Sequence, residues 1–347
     1  MSVADPRQVR GDGGTGAPDA PAYAVVVPTI GRECLADCLA ALATADGPPP
    51  VEVVVVDDRP EPGDELPLAA AGVLRDRLRV RATHGAGPAA ARNAGLREAG
   101  APWVVFLDDD VRVDADWRRR LAADLAAASP ATGGVQGRLV VPLPEDRRPT
   151  DWERGTAGLA DASWATADMA YRADALRAVG GFDERFRRAF REDADLALRV
   201  LGAGWELRRG ARTTRHPVRP AGPWVSVRAQ RGNADDVLMT RLHGRDWWTR
   251  ARAPKGRFPG HLLVTAAAAA VPLCLLTGHR RPAALAASLW ALGTAEFTAA
   301  RLRGGPWTAR EVATMAATSV LIPPLAVGHR LAGTARHHGA RPWQGAP

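Results

Sequence analysis

The sequence predicts an α/β fold: a mixed, mostly parallel sheet flanked by helices, followed by an apolar helical region near the C-terminal end. Two observations predict it. Short apolar runs suit strands that are buried on both faces, and they stand at 23–27, 51–56 and 103–107. After about Phe258 the composition shifts to Ala-rich, nearly uncharged segments, at 261–277, 283–300 and 312–328.

The segments between and after the strands complete the α/β pattern. Helices are expected at 33–45, at 89–99, after Asp114, at 173–179 and at 192–203. Further strands are expected at 78–82 and 135–141. The alternation of strand and helix in the first half implies parallel strands with helices on both faces of the sheet.

Three regions follow from this pattern. Residues 1–20 carry charges and glycines without an apolar stretch, so we expect a flexible tail and no secretory signal. Residues 21–250 are expected to form the α/β domain, and residues 258–335 an apolar helical region that associates with a membrane.

Composition excludes several classes of protein. A chain of 347 residues, 46% of them hydrophobic, is neither disordered nor collagenous. Its three cysteines cannot form a disulfide framework, which fits a reducing compartment. The net charge of +8 favours phosphates, nucleic acid or anionic lipid as partners without choosing among them.

Aspartates follow two of the predicted strands. Asp57–Asp58 follows the second apolar run, and Asp108–Asp110 follows the third. Ligands of parallel sheets bind beyond the carboxyl ends of the strands. The first pair fits a strand-end turn as well as it fits acceptors for the base or ribose of a nucleotide.

The three successive aspartates favour a metal site. In an extended backbone Asp108 and Asp110 point to one face and Asp109 to the other. Two carboxylates on one face repel each other unless a cation lies between them, and Mg²⁺ and Mn²⁺ prefer such oxygens. The alternative is helix capping by Asp110 or Asp114.

Three further motifs each have two interpretations. Gly85–Gly87, followed by Arg92, fits a phosphate loop or a simple turn. Arg191–Asp195 opens a predicted helix, where acidic residues either complement the helix dipole or supply a general base. A lone histidine is usually no ligand, but His216 becomes a candidate beside acidic ligands.

Taken together, these residues resemble the family 2 glycosyltransferases, which have an A-type glycosyltransferase fold. The resemblance extends from about Ala22 to Gly204. Its motifs, in chain order, are VVVPTIGR (25–32), VVVVDDRP (53–60), GPAAARNAG (87–95), FLDDDV (106–111), ADMAYRADALRAVGGFDERF (167–186) and REDADLALRVLGAG (191–204). The chain departs from processive polysaccharide synthases in lacking Q-x-x-R-W.

The resemblance implies transfer of a sugar from a nucleotide-diphosphate donor, usually with inversion, by a catalytic domain over 21–250. It implies that Mn²⁺ or Mg²⁺ is held by Asp110, with His216 as a further ligand. It implies Asp193 as the catalytic base, in preference to Glu192 or Asp195. The donor-binding residues it implies are Pro28, Asp57, Asp58, Arg92 and Asp108. The acceptor-side residues it implies are Asp168, Gly181, Asp183 and Glu192.

Two rival functions differ in class. A nucleotidyltransferase also uses a parallel sheet and acidic metal ligands, but it would carry a Gly-rich loop with Arg and Lys after the first strand, where this chain has PTIGRE. A non-enzymatic basic protein could bind a nucleic acid or a membrane surface. Basic residues are spread along the chain without a zinc or RNP pattern, so no nucleic-acid partner is expected.

The apolar segments predict membrane association at the cytoplasmic face of the cell membrane. Each is close to the roughly 20 residues that a spanning helix needs. Glu296 interrupts the second segment and Pro323–Pro324 the third. The alternative is a soluble helical appendage. The expected acceptor is a carbohydrate, a lipid-linked molecule or another hydroxyl compound, in envelope, glycolipid or polysaccharide synthesis.

Overall fold

The structure, a computed structural model, describes residues 21–345. The flexible tail expected at 1–20 lies outside the described residues. The strands are β1 (Tyr23–Thr29), β2 (Glu52–Asp57), β3 (Leu78–Ala82), β4 (Trp103–Leu107), β5 (Arg112–Val113), β6 (Thr132–Val140), β7 (Asp168–Arg172) and β8 (Glu206–Arg215).

The α-helices fall into two groups, those of the α/β domain and three long C-terminal ones. They are α1 (Cys34–Thr44), α2 (Pro88–Glu98), α3 (Trp117–Ala126), α4 (Asp151–Ala157), α5 (Ala173–Ala178), α6 (Glu192–Gly202), α7 (Val225–Ala229), α8 (Asn233–His243), α9 (Trp247–Arg250), α10 (Phe258–Leu276), α11 (Arg280–Leu302) and α12 (Ala309–Arg336). Short 3₁₀ helices occupy Leu68–Arg77, Gly158–Asp161 and Gln230–Gly232.

The strands form one eight-stranded sheet in the order β3-β2-β1-β4-β7-β6-β8-β5. The first half is parallel: β1 lies between β2 and β4, and β3 follows β2. In the second half, β7 pairs antiparallel with β4 and β6, and β5 antiparallel with β8, whereas β6 and β8 are parallel. The predicted mixed, mostly parallel sheet flanked by helices is confirmed.

Valine-rich strands give the sheet an apolar surface on both faces. Val25 and Val27 of β1 join one core cluster with side chains of α1 and α3. Val26 joins a second cluster with side chains of α2, α5 and α6 on the other face. Because side chains alternate along a strand, a continuous valine run requires cover on both sides.

The parallel register brings the carboxyl ends of the acidic strands to one edge of the sheet. Thr29, the last residue of β1, pairs with Asp57 at the end of β2. On the other side, β1 pairs with β4, which ends immediately before Asp108. Helix α2 lies close to this sheet, since a Cβ on Gly95 would come within 2.3 Å of a methyl group of Val26.

The three C-terminal helices are long and apolar enough to cross a membrane. Helix α12 packs against α7 and α8 of the α/β domain and buries a stripe that includes Met315, Ser319, Ile322 and Ala326. Helices α10 and α11 pack on each other and on α12. They leave large apolar side chains exposed: Leu262, Leu263, Leu273, Leu275, Leu276, Leu285, Leu289 and Leu292.

Candidate active site

A cleft of about 1050 Å³ opens at the carboxyl edge of β1 and β4. The residues that the sequence predicted for the site divide into two groups. Those that line the cleft are Pro28, Asp58, Arg92, Asp108, Asp110, Glu192, Asp193 and His216. Those that do not line it are Asp57, Asp168, Gly181 and Asp183.

The first and third aspartates after β4 lie together as predicted, but the backbone at Asp109–Asp110 forms a turn and is not extended. Asp108, Asp110 and His216 each offer a ligand atom within 4.8 Å of the others. Asp109 also lines the cleft, but its carboxylate accepts hydrogen bonds from Thr29 Oγ1 at 2.6 Å and Arg32 Nη1 at 2.7 Å. Burial raises the pKa of Asp109, and these two donors oppose the increase.

The acidic cluster suits a divalent cation. Two carboxylates and an imidazole combine oxygen and nitrogen ligands that Mn²⁺ accepts, and the carboxylates also suit Mg²⁺. His216 Nε2 lies 3.5 Å from Asp110 Oδ1. The other ring nitrogen, Nδ1, is buried without a hydrogen-bond partner among the described residues. Arg219 Nε lies 2.8 Å from Asp110 Oδ2, so an arginine already balances part of the acidic charge.

Arg92 connects the two acidic parts of the cleft. It lies on α2, almost fully buried, and donates to Asp108 Oδ1 at 2.7 Å and to Glu192 Oε1 at 2.8 Å. Burial alone would lower the pKa of Arg92, but attraction to the two carboxylates outweighs burial and raises it. The planar guanidinium can bridge both groups at once, which a lysine could not do in the same geometry.

Helix α6 begins with the acidic pair that faces the cleft. Arg191, just before it, has a φ of 77° in the left-handed region, which is costly for a residue other than glycine. Its guanidinium lies over the rings of Phe190 and Trp247 and bonds Asp236 at 2.9 Å, and these contacts hold the unusual turn. The turn thus fixes where the helix, and its first two carboxylates, enter the cleft.

The three acidic side chains of this helix have different surroundings. Glu192 is buried, and its Oε2 has no hydrogen-bond partner among the described residues. Asp193 is half-buried, and its Oδ1 accepts a 2.7 Å bond from the Ala194 amide. Burial raises the pKa of both carboxyls. Asp195 faces away from the cleft and pairs with Arg199 and His243.

The side chains of the adjacent residues Asp57 and Asp58 have different surroundings. Asp58 lines the cleft and accepts hydrogen bonds from Thr83 Oγ1 at 2.7 Å and the Gly87 amide at 3.0 Å. Asp57 is turned to Arg59, whose hydrogen bonds lower the pKa of Asp57. The pairing explains why only the second aspartate is open to a ligand.

Asp168 does not lie on the acceptor side, contrary to the resemblance. Its carboxylate is fully buried and accepts hydrogen bonds from Trp117 Nε1, Arg212 Nε and Thr214 Oγ1, at 2.8, 2.8 and 2.6 Å. All of its hydrogen-bonding capacity is directed into the fold. We therefore correct its assignment to a buried polar residue that ties β7 to α3 and β8.

Gly181 and Asp183 also lie outside the cleft. Gly181 has a φ of 73°, and a Cβ there would come within 2.6 Å of Asn93 Oδ1. The Asn93 side chain both donates to and accepts from the backbone of Phe182, so it clamps this turn to α2. Asp183 pairs with Arg185 beside a separate hollow of about 290 Å³.

The sequence analysis did not predict one wall of the cleft. It consists of α4 and the following 3₁₀ helix, which contribute Trp152, Thr156 and Leu159. The Trp152 indole donates to the backbone oxygen of Arg219 at 2.9 Å. A sequence signal for α4 exists: Thr150 and Glu153 form a capping box, the T-x-x-E pattern of a helix start.

A mixed sheet with an acidic cluster at its carboxyl edge is found in transferases of more than one class, and comparison with known families distinguishes among them. Residues 24–179 match the family described as "Glycosyl transferase family 2". This match assigns residues 24–179 to the family 2 glycosyltransferases. The resemblance inferred from the sequence is confirmed.

Curated proteins also match parts of this chain. The chain is 32% identical over 175 residues to the "Pre-mycofactocin glycosyltransferase" of Mycobacterium tuberculosis, covering 46% of this chain and 35% of that protein. It is 42% identical over 88 residues to the "Succinoglycan biosynthesis protein ExoO" of Rhizobium meliloti (strain 1021), covering 24% and 25%. The matched segments thus span about a third or less of these relatives' length.

A solved structure that superposes on this chain is that of S. aureus TarS 1–349 in complex with UDP. It is 16% identical with a TM-score of 0.46, and the match covers 90% of this chain and 92% of that chain. A likeness at this level has no bearing on the substrate.

Proposed function

We propose that the chain transfers a sugar from a nucleotide-diphosphate donor to an acceptor hydroxyl, in a metal-dependent reaction that inverts the anomeric configuration. One observation carries the proposal: the carboxylates of Asp108, Asp110 and Asp193 line the same cleft. Such a transfer needs two separate groups, a cation site for the leaving group and a base for the acceptor.

The donor occupies the side of the cleft formed by the ends of β1, β2 and β4. Asp58 accepts from the base or ribose, since its side chain already accepts two hydrogen bonds and keeps lone pairs free. Pro28 forms the floor beside it. Asp108, held by Arg92, contacts the ribose or supports the cation. Asp57 acts indirectly, by fixing Arg59 and the shape of this loop.

Asp110 and His216, with Asp108, are the residues that would hold Mn²⁺ or Mg²⁺. A bound cation would neutralise the charge that develops on the departing diphosphate. Arg219, which contacts Asp110 at 2.8 Å and is about half exposed, is close enough to share that task. The position of His216 Nε2, 3.5 Å from Asp110 Oδ1, supports a ligand role for this ring.

Asp193 takes the proton from the acceptor hydroxyl as the hydroxyl attacks the anomeric carbon. An inverting reaction needs one base on the face opposite the leaving group. Glu192 is ion-paired with Arg92, and Asp195 is bound to Arg199 and His243. Asp193 is therefore the carboxylate of this helix that lines the cleft without an ion pair among the described residues.

The acceptor reaches the cleft along the wall that α4 forms, at the cytoplasmic face of a membrane. Trp152, Leu159, Phe190 and Pro254 give this side an apolar lining. Residues 251–254 lead directly into α10, whose exposed leucines suit lipid. We propose residues 21–250 as the catalytic domain and 258–335 as the membrane-associated region, with a lipid-linked or envelope hydroxyl compound as acceptor.

A panel of nucleotide sugars tests donor binding. The midpoint of thermal unfolding should rise with the matching donor and Mn²⁺, because a ligand that binds only the native state stabilises it. The rise should shrink without the metal, and in Asp110→Asn. Asp114→Asn is the matched control, since Asp114 pairs with Arg215 outside the cleft. An equal rise with and without metal would contradict the metal-dependent part of the proposal.

A further inference from the structure

Arg301 is a buried charged residue near the end of the largely apolar helix α11. It lies one residue before the end of α11, and its side chain is only 8% exposed. A buried guanidinium is costly unless its donors are paired. The burial therefore requires specific partners, and those partners show which parts of the molecule the arginine joins.

The partners of Arg301 come from three other helices. Its Nε and Nη2 donate to Asp151 Oδ2 at 3.1 and 2.8 Å. Its Nη1 donates to Thr318 Oγ1 of α12 at 2.6 Å, and its Nη2 to Ser226 Oγ of α7 at 2.9 Å. The guanidinium thus fixes α4, through Asp151, to both α11 and α12.

Two more contacts tie α4 to the same helices. Glu311, in the first turn of α12, accepts a hydrogen bond from the Asp151 amide at 2.9 Å. Arg154 of α4 donates to the backbone oxygen of Arg301. The first turn of α4 is therefore held by charged groups from the ends of two apolar helices.

The connection continues from α4 to the acidic cluster. Trp152 is the residue after Asp151, lines the cleft and donates to the backbone oxygen of Arg219 at 2.9 Å. Arg219 in turn contacts Asp110 at 2.8 Å. An unbroken series of contacts thus runs from the apolar helices, along one wall of the cleft, to a proposed metal ligand.

We propose that Arg301 is a positioning residue: with Asp151 it fastens the α4 wall of the cleft to α11 and α12, so that the cleft takes an acceptor hydroxyl presented at the membrane surface. The statement that α4 forms the acceptor wall rests on the proposed function. The attachment of α4 to α11 and α12 does not rest on the proposed function, and it can be tested without a substrate.

The test is hydrogen–deuterium exchange of the full chain in detergent micelles, comparing Arg301→Gln with Arg303→Gln. Arg303 follows the same helix but is exposed, which makes it a matched control. In Arg301→Gln, amides of 151–161 should exchange faster by on the order of tenfold or more, because a local opening free energy falls. Amides of α2 on the donor side should keep their rate in both variants.

Two results would overturn the positioning role. One is unchanged exchange at 151–161 in Arg301→Gln; the other is an equal increase throughout the sheet, which would mean general destabilisation. Should Arg301→Gln fail to fold, Asp151→Asn keeps the side-chain shape and removes the charge, and the same local increase is expected from it.

Kinetics of donor hydrolysis distinguish the positioning role of Arg301 from the proposed function. Arg301→Gln should hydrolyse the matching nucleotide sugar, with water as acceptor, at a donor KM within about twofold of the wild type, because Asp58, Arg92 and Asp108 on the donor side hydrogen-bond to groups outside α4. A tenfold change in donor KM would contradict a role confined to the acceptor wall. Absence of hydrolysis in the wild type would count against the proposed function, whereas the exchange result would still decide the fastening.

Discussion

Arg92 Nη1 lies 2.8 Å from Glu192 Oε1, and this ion pair distinguishes two adjacent carboxylates of α6. Glu192 is ion-paired with an arginine that lies 100 residues earlier in the chain. Asp193, its neighbour, receives a hydrogen bond only from the nearby Ala194 amide within the described residues and lines the cleft. The arrangement supports our proposal that Asp193 accepts the proton and that Glu192 balances the charge of Arg92.

Asp193→Asn should lower kcat by at least roughly 10²-fold, the usual contribution of a general base. The KM for the donor should change little, because the base acts on the acceptor hydroxyl. Steady-state kinetics of sugar transfer or donor hydrolysis measure both constants. A dead Glu192→Gln variant beside an active Asp193→Asn variant would reverse the assignment.

The pH dependence of stability provides a second check on Asp193. Burial raises its pKa, so between the ordinary range of an aspartate and that raised value the folded state holds a proton that the unfolded state lacks. The free energy of unfolding of the wild type should therefore decrease as pH rises through this window. Asp193→Asn removes the desolvated charge, so it should be more stable than the wild type at pH 8.

Urea unfolding at pH 5 and pH 8 measures this effect. The stability advantage of Asp193→Asn should be larger at pH 8 than at pH 5. An advantage that grows toward acidic pH would show that the Asp193 pKa is lowered, not raised. For the same reason, the acid limb of the kcat profile of the wild type should lie above the ordinary range of about 3.9.

Asp110→Asn should abolish turnover while the fold persists, because the amide oxygen is a weaker ligand for a hard cation and Arg219 loses its partner. Circular dichroism and turnover measured on the same preparation separate the two effects. Asp114→Asn, outside the cleft, should retain wild-type turnover. Full wild-type activity in excess chelator would refute the metal site.

The strands and the acidic cluster were predictable from the sequence because their signals are local. Valine runs specify buried strands. Asp108 and Asp110 lie together as the sequence predicted, although the backbone that brings them together is a turn and not the extended strand end from which the prediction was made. The helices at 89–99 and 192–203 were predicted within one residue at each end, at Pro88–Glu98 and Glu192–Gly202.

The positions of the residues that the resemblance assigned to the acceptor side could not be predicted in the same way, because their contacts are distant in sequence. Whether Asp168 faces a ligand or the core depends on Trp117, Arg212 and Thr214, which lie at least 44 residues away. The sequence analysis did not predict the α4 wall, because a seven-residue helix carries little hydrophobic periodicity. The capping box of α4 can nevertheless be recognised in the sequence.

Replacing exposed leucines of α10 and α11 with glutamine should weaken binding to anionic vesicles. Burying one leucine contributes about 1.5–3 kcal/mol, so the quadruple variant should bind at least about tenfold more weakly. The four positions are Leu262, Leu273, Leu285 and Leu292. Val73→Gln and Val80→Gln, exposed on the catalytic domain, serve as controls in the same co-sedimentation measurement. Equal sedimentation of all variants would contradict the membrane proposal.

The most direct measurement identifies the products that the full chain forms from a panel of nucleotide sugars with Mn²⁺. The account predicts release of a nucleoside diphosphate, loss of that release on chelation and in Asp110→Asn, and a sugar product of inverted anomeric configuration by NMR. Release of pyrophosphate in place of the nucleoside diphosphate, or retention of configuration, would contradict it.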